Sequence, residues 1–388
     1  MHISVKVALK PNKEQEQILW KWANSIRFVY NYSLNIKTKA YREQNINIRW
    51  NDIIKIINQI RYTEEYRWLS EVPSETLKYA VKDLDSAFQR FFDGAGYPKF
   101  KKKNKTTPSF YTRYDKLYSI DSKHIKICGL KKPLKTYEDI LIPEKPLNPR
   151  IKYDGKYWYL TYGVEIAPEN KDIPLINKKR KTYSEIHNKE ISEPLGIDLG
   201  ILKTAVCSNG KIYENINKTN KEIIRLEKKK KRLQQQVSRK YERNKQENKF
   251  IKTNNIRKHE QQIKLVQRRI NNIRNNYINN MTLEIVKTKP SIIVMEDLAV
   301  SNMMKNKYLA KSIQEQKWYD IKRIIKYKAK LYGIPEKEVS RFYKSSKTCS
   351  CCGFINNNLT LQNRTFKCPN CENVIDRDLN AAINLSKQ

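Results

Sequence analysis

The sequence predicts an α+β multidomain chain: an N-terminal β-barrel with a helical insertion, followed by an α/β domain interrupted near its end by a cysteine-rich knuckle. Three observations predict it. Period-two apolar alternation opens the chain and returns over residues 109–165, on either side of a block with helical apolar spacing. In the second half, two apolar runs each carry a carboxylate at or near the end. Close to the C-terminus, two Cys-x-x-Cys pairs, Cys349/Cys352 and Cys368/Cys371, stand 15 residues apart.

Taken in order, Ile3, Val5 and Val7 alternate with Ser4, Lys6 and Ala8 as in a strand. Pro11-Asn12 marks a turn, and from residue 13 to about 43 the spacing of Ile18, Leu19, Trp22, Ala23, Ile26, Val29 and Tyr30 is helical. A second helix is predicted over Asn51–Arg61. A third runs over Ser74–Phe92 with Ser74 as its cap, an apolar stripe from Leu77 to Phe91, and Lys78, Lys82 and Arg90 on its flanks. Short alternating runs between Pro and Gly turns follow, and Tyr153-Asp154-Gly155-Lys156 is a hairpin turn into Trp158, Leu160, Tyr162 and Val164. Residues 166–192 are polar, basic and aperiodic, as in a linker.

A new domain opens at Pro194, where Leu195–Ile201 reads as a strand holding Asp198. Thr204–Ser208 pairs back, and Asn209-Gly210 makes the next hairpin. Two long helical stripes follow, Ile223 to Val237 and Ile256 to Tyr277, joined by a polar stretch that lets them fold back antiparallel. Their outer faces are dense in Lys and Arg, which fits a structural hairpin and a nucleic-acid-facing ridge equally. Ser291–Leu298 is a buried strand carrying Glu296, Gln314–Tyr332 a helix and Glu338–Tyr343 a short strand. A last helix starts near Asp378.

The formal charge of +38 over 388 residues is the dominant global property. Self-repulsion on that scale calls for a bound polyanion, and binding through phosphates would be steeply salt-dependent. Basic residues run the length of the chain without an amphipathic anchor or lipidation motif, which favours nucleic acid strongly over a membrane surface. No signal peptide or transmembrane span is visible. Seven cysteines without a framework spacing exclude a disulfide scaffold and point to metal ligands in a reducing cytoplasm. Cys128 and Cys207 read as ordinary buried thiols.

The spacing of Cys349, Cys352, Cys368 and Cys371 is that of a four-thiolate Zn²⁺ site, so the insert is a zinc knuckle. Asp198, Glu296 and Asp378 stand where apolar runs normally exclude acids. An ionised carboxylate in such surroundings is costly unless paired, and two such charges about 4 Å apart repel by about 4 kcal/mol at an effective dielectric near 20. A divalent cation reverses that sign. Oxygen-only ligands suit Mg²⁺ (or Mn²⁺), the chemistry of two-metal phosphodiester cleavage. Four histidines in the chain, none near these acids, disfavour a His-based nuclease centre. The order strand-Asp, strand-Glu, helix-Asp matches an RNase H-like fold, a mixed sheet with helices on both sides. Asp378 is preferred to Asp376 as the ligand, because the small residues Asn380-Ala381-Ala382 after it permit close packing on the sheet; Asp376 would be a neighbour or cap. Asp297 should face the other way.

At these residues the chain resembles the TnpB family, RNA-guided nucleases encoded by insertion sequences and related to compact type V CRISPR effectors. Pro11-Asn12-Lys13-Glu14-Gln15, Asp83-Leu84 with Ala87-Phe88 and Phe91-Phe92, and Gly96-Tyr97-Pro98-Lys99-Phe100 are similar to its N-terminal landmarks. Gly196-Ile197-Asp198-Leu199-Gly200, Val294-Met295-Glu296-Asp297-Leu298, Ser346-Lys347-Thr348-Cys349 with Cys352-Gly353, and Asp376-Arg377-Asp378 with Asn380-Ala381-Ala382 resemble its RuvC and zinc motifs. The resemblance implies that Asp198, Glu296 and Asp378 are the RuvC metal ligands. It implies a wedge-like barrel (1–10 and 105–165) with a helical recognition domain (11–104), a linker (166–193), a RuvC nuclease domain (194–345 and 374–388) and a zinc-binding target-nucleic-acid insert (346–373). Guide RNA and double-stranded target DNA are the implied partners, with Lys78, Lys82 and Arg90 as candidate contacts and a monomer favoured. Cys351 departs from the pattern and reads as a bystander.

The function expected is RNA-guided, metal-dependent DNA cleavage beside a short target-adjacent motif. Two rivals stay open: a nuclease-inactive, RNA-guided or sequence-specific DNA-binding regulator or accessory protein, and a transposase performing strand transfer.

Overall fold

A computed structural model of the chain describes residues 2–103, 106–165, 186, 189–247, 249–360 and 362–388. The described residues fall into two compact units, divided between positions 179 and 180. The stretch expected as a linker, 166–193, lies outside the described residues except for 186 and 189–193.

In the first unit, β1 (His2–Lys10) runs antiparallel to β7 (Trp158–Glu165). Ile3 pairs with Val164, Val5 with Tyr162, Val7 with Leu160 and Leu9 with Trp158. All of these side chains are buried, so the alternation in the sequence is the inner face of a sheet. With β2 (Ser109–Tyr111), β3 (Tyr118–Ser119), β4 (His124–Lys126), β5 (Leu134–Thr136) and β6 (Leu147–Tyr153), the order is β2-β6-β7-β1-β5-β4-β3. The expected barrel is an antiparallel row of strands: among the described residues no pairing joins β2 to β3. These edge strands span three and two residues.

Helix α1 (Lys13–Gln44) begins at a reciprocal cap, where Asn12 Oδ1 accepts from the Gln15 N–H (2.8 Å) and Gln15 Oε1 from the Asn12 N–H (3.1 Å). It stops at Asn45, whose φ of 54° is left-handed. Its buried stripe (Leu19, Trp22, Ile26, Val29) joins Ile53 and Ile57 of α2 (Trp50–Ile60), Leu77, Ala80 and Val81 of α3 (Ser74–Phe92), and the inner sheet face in one core. Sheet and helices each have one apolar face, so neither buries it without the other. The helical block is therefore not a separately cored insertion. Nor does Ser74 cap α3: Pro73 occupies that position without a side-chain bond, its carbonyl accepting from the Thr76 N–H (2.9 Å).

The second unit is built on a five-stranded sheet of order β10-β9-β8-β13-β14. Strands β8 (Leu195–Asp198), β9 (Lys203–Cys207) and β10 (Ile212–Glu214) form an antiparallel meander. Strand β13 (Ile293–Glu296) lies parallel to β8, and β14 (Glu336–Val339) parallel to β13. Between β10 and β13 the chain makes a helical hairpin, α4 (Lys221–Arg243) and α5 (Asn254–Lys287), turned by the strand pair β11 (Lys245–Gln246) and β12 (Lys249–Phe250). Ile223, Leu233, Val266 and Ile270 form its own small core.

Two boundaries differ from expectation. The helix expected over 314–332 is broken at Lys317, whose φ of 56° separates a short helix, Ala310–Gln316, from α6 (Trp318–Tyr332). The strand expected over 338–343 is β14, shifted to 336–339 by its parallel register with Ile293–Glu296. The final helix, α7 (Arg377–Ser386), packs against β8 at Gly196. A Cβ on that glycine would lie 2.0 Å from the Ala382 carbonyl oxygen and 2.5 Å from the Ser386 nitrogen. Backbone meets backbone there, which no residue larger than glycine permits. Among the described residues, no helix is long and apolar enough to cross a membrane.

Candidate metal centres

The parallel register of β8 and β13 pairs Leu195 with Ile293, Gly196 with Val294 and Ile197 with Met295. Asp198 and Glu296, the next residue of each strand, therefore end neighbouring strands at one level. The chain leaves β8 toward β9 and β10 on one side and returns as β13 and β14 on the other. The gap between β8 and β13 is thus the point where strand order reverses, and ligands of α/β sheets bind outside the carboxyl ends of the strands at such a point.

The third acid comes from the other end of the sequence. Gly196, Ala381 and Ala382 let α7 settle on β8, which carries its first turn toward Asp198. Burial first, and then the charges of Asp378 and Glu296, push the Asp198 carboxyl up to about 7 against the opposing charge of Arg377. Glu296 is also raised by burial, with Lys322 drawing it down. All three carboxylates are half-buried. Their oxygens are not gathered as tightly as the cysteine sulfurs: among the described residues, the cysteine quartet is the group of potential ligands whose donor atoms all lie within 4.8 Å of one another. Mg²⁺ keeps several waters and takes one or two carboxylates directly, so its binding does not require three carboxylates gathered in one tight shell. Concentrated, partly desolvated negative charge makes the residues a fit for such an ion.

The neighbours of these acids are committed elsewhere. Asp376 caps α7, its Oδ1 accepting from the N–H groups of Asp378 (2.9 Å) and Leu379 (3.1 Å), and its Oδ2 meets Lys203 Nζ at 2.9 Å. Burial raises its carboxyl, but Lys203 and the helix N–H groups outweigh that and hold it below the usual carboxylate range. Asp297 turns to Arg341 (2.8 Å) and Lys322 (3.9 Å).

The cysteines form a closed quartet. Cys349 and Cys371 sulfurs are 3.6 Å apart, and those of Cys352 and Cys368 3.5 Å. A tetrahedron with Zn–S bonds of about 2.3 Å has edges of roughly 3.8 Å, so the quartet fits zinc. Each pair sits in a tight turn, with the Gly353 N–H donating to the Cys349 carbonyl and the Glu372 N–H to the Cys368 carbonyl, both at 3.0 Å. The Asn370 amide points at the Cys352 sulfur (3.5 Å) and, with the Phe354 N–H, lowers that thiol to about 6, toward the thiolate a metal requires. Buried Phe366 packs beneath Cys349 and Cys368. Cys351 is exposed and outside the quartet. Cys207 is a buried thiol as expected, whereas Cys128 is only half-buried. The strand β15 (Thr365–Lys367) pairs with β16 (Val374–Asp376), so the hairpin crosses position 373, where the sequence placed the end of the insert.

The three basic candidates on α3 do not act alike. Lys82 lines a cavity of about 540 Å³ with Tyr79, Asp83, Tyr111 and Arg150 among its neighbours. The Tyr79 and Tyr111 rings stack there at 3.5 Å, and Arg150 clamps Asp83 through two bonds of 2.6 and 2.8 Å. Lys78 pairs with Glu75 (3.4 Å), and Arg90 Nε donates to the Ser86 carbonyl of its own helix (3.1 Å). Sequence reasoning missed Asn380 and Asn384, treating the first as merely small. Both are buried and bonded to the backbone that leads into the knuckle. Their i, i+4 spacing on one helix face is the signal that could have found them.

Three family models match the chain: a helix-turn-helix domain of the IS605 OrfB type over residues 1–45, an IS605 OrfB probable transposase over 179–307, and a Cas12f1-like TNB domain over 318–385. Over the first of these the structure has a strand and one long helix. A putative RNA-guided DNA endonuclease of Streptomyces pristinaespiralis is 27% identical over 98% of this chain and 87% of its own length. The putative RNA-guided DNA endonuclease InsQ of Escherichia coli K12 is 27% identical over 98% of this chain and 90% of its own. The matched segments take in β1 with α1, the strands that carry Asp198 and Glu296, and the knuckle with α7, so that the chain carries domains of the IS605 OrfB (TnpB) type and is similar over nearly its full length to proteins named as putative RNA-guided DNA endonucleases.

Proposed function

We propose that this protein is an RNA-guided DNA endonuclease of a transposable element, which cleaves target DNA beside a short target-adjacent motif at a RuvC-type, RNase H-like centre. The observation that carries this reading is the electrostatic meeting of Asp198 with Glu296, at the carboxyl ends of two parallel strands, and with Asp378 in the first turn of α7. In this reading the three acids hold Mg²⁺ or Mn²⁺, and a cation bound there would supply Lewis-acid activation of water and charge neutralisation at the leaving oxygen. Gly196 and the alanines of α7 set the carboxylate spacing. Arg377, beside Asp378 at 3.6 Å, offsets part of the negative charge.

The zinc knuckle at Cys349, Cys352, Cys368 and Cys371 would belong to a target-nucleic-acid-binding insert. The sheet and helices of the first unit would act as wedge and recognition elements that grip guide RNA and read the flanking motif. Lys82 and the stacked tyrosines beside it offer a cation and a ring face to a nucleotide. Lys78 and Arg90 would contact backbone phosphates from the same helix. The charge of +38 makes affinity for both nucleic acids fall steeply with salt.

The deciding experiment incubates the purified ribonucleoprotein with plasmids carrying the guide-matched target beside randomised flanks, with and without Mg²⁺. Metal-dependent linear product under some flanks is expected. Asp198→Ala should reduce cutting by about a thousandfold or more, since each decade is about 1.36 kcal/mol of barrier, while guide and target binding persist. Plasmid left intact under every flank would replace this reading with that of a binding-only regulator.

A further inference from the structure

We propose that Asn380 and Asn384 are positioning residues that tie the four-cysteine knuckle to Asp378, so that zinc loading of the knuckle and divalent-cation binding at the carboxylates are coupled. The inference rests on the reading of Asp198, Glu296 and Asp378 as cation ligands.

The two centres meet on a single helix. The hairpin holding Cys368 and Cys371 runs through β16 directly into α7, whose first turn carries Asp378. The other cysteine arm is tied to the same helix by side chains. Asn380, fully buried, accepts from the Ser350 N–H through Oδ1 (2.8 Å) and donates to the Thr348 carbonyl through Nδ2 (2.7 Å). Asn384, one turn on and also buried, donates to the Ser345 carbonyl (2.8 Å) and to the same Thr348 carbonyl (2.6 Å). Lys387 adds a bond to the Ser350 carbonyl. Cys349 lies between the two clamped peptide groups, Thr348 and Ser350.

This arrangement closes a loop. One cysteine arm enters α7 through the chain, the other grips it through buried amides, and the four sulfurs join the arms at the far end. With the sulfurs joined by a metal, the first turn of α7 is held from two sides. Without that junction, the amides still grip the 345–350 arm, but the sulfurs no longer lock its far end to the hairpin of Cys368 and Cys371. On the opposite face, α7 meets β8 backbone to backbone at Gly196, so a small shift of the helix changes the distance from Asp378 to Asp198. Partners behind metal ligands commonly set affinity by about ten- to a hundredfold, and coupling between two binding sites acts equally in both directions.

The test uses the full chain and two readouts independent of cleavage: Mn²⁺ affinity by electron paramagnetic resonance, and the rate of zinc release to a chelator. In the wild type, zinc removal should weaken Mn²⁺ binding by about tenfold or more, and saturating Mn²⁺ should slow zinc release. Asn384→Asp keeps the side-chain shape but loses both donated bonds, and Asn380→Ala loses the other clamp. With zinc still bound, each should show weaker Mn²⁺ binding and little effect of Mn²⁺ on zinc release. Should the variants fail to hold zinc, the wild-type linkage alone decides. Equal Mn²⁺ affinity in zinc-loaded and zinc-stripped wild type overturns the proposal and leaves the nuclease reading standing. Absence of any Mn²⁺ site sensitive to Asp198→Ala overturns both.

Discussion

The cysteine quartet and the carboxylate cluster share one compact unit and one helix, yet they are assembled in opposite ways. The quartet is local: its ligands come from two tight turns within a short stretch of chain, and the four sulfurs lie within 4.8 Å of one another. The carboxylates come from three distant segments, and a parallel strand pair and a glycine contact bring Asp198 within electrostatic reach of Glu296 and Asp378. One centre is specified by spacing along the chain, the other by packing. The difference teaches that the first should fail through loss of a ligand, while the second should fail through shifts in backbone that touch no ligand at all.

The largest expected effect is at the quartet. Cys368→Ser removes a buried ligand, and because structural zinc contributes about 10–16 kcal/mol in small zinc-finger peptides, zinc content per chain should fall to near zero by atomic absorption. Zinc retained at wild-type content would refute the local picture. Next comes Gly196→Ala, which alters no ligand in either centre. Its new Cβ meets the Ala382 carbonyl, and overpacking of this kind costs about 1–3 kcal/mol or more. The melting temperature of the second unit and Mg²⁺-dependent cutting should both fall, with zinc content unchanged. Full activity in this variant would mean that the close approach of α7 does not set the carboxylates.

A smaller effect is expected from Asp376→Ala. It removes the cap of α7, a loss of about 0.5–2 kcal/mol, and frees Lys203. Thermal stability should drop by that amount while cutting persists; abolished cutting in a stably folded variant would move the ligand from Asp378 to Asp376. The smallest is Cys351→Ser, where the side chain is exposed and outside the quartet. Zinc content and release rate should match the wild type, and a faster release would make Cys351 a participant.

The first unit offers a milder version of the same lesson. Its helix stripes and the β1 and β7 alternation were legible residue by residue, because burial on one face imposes a period of 3.6 or 2. That the helices and the sheet share one core was not, since an apolar stripe does not say which stripe it will meet. Ser74 illustrates the limit at a single position: a residue type favoured at helix starts stands one place too late, behind a proline whose carbonyl begins the helix.

By itself, the sequence determined what depends on neighbours along the chain: the thiolate quartet from two Cys-x-x-Cys turns, the start of α1 after the Pro11-Asn12 turn, and the strands from their alternation. It also marked Asp198, Glu296 and Asp378, because acids at the ends of apolar runs are conspicuous. Only the tertiary structure decided how far those three acids feel one another, that Asp376 is spent on a helix cap and Lys203, and that Asn380 and Asn384 bind the knuckle to the sheet's last helix. Each of these turns on the distance between backbones remote in sequence. Such distances are set by packing at contacts like that of Gly196 with α7, and no spacing along the chain encodes them.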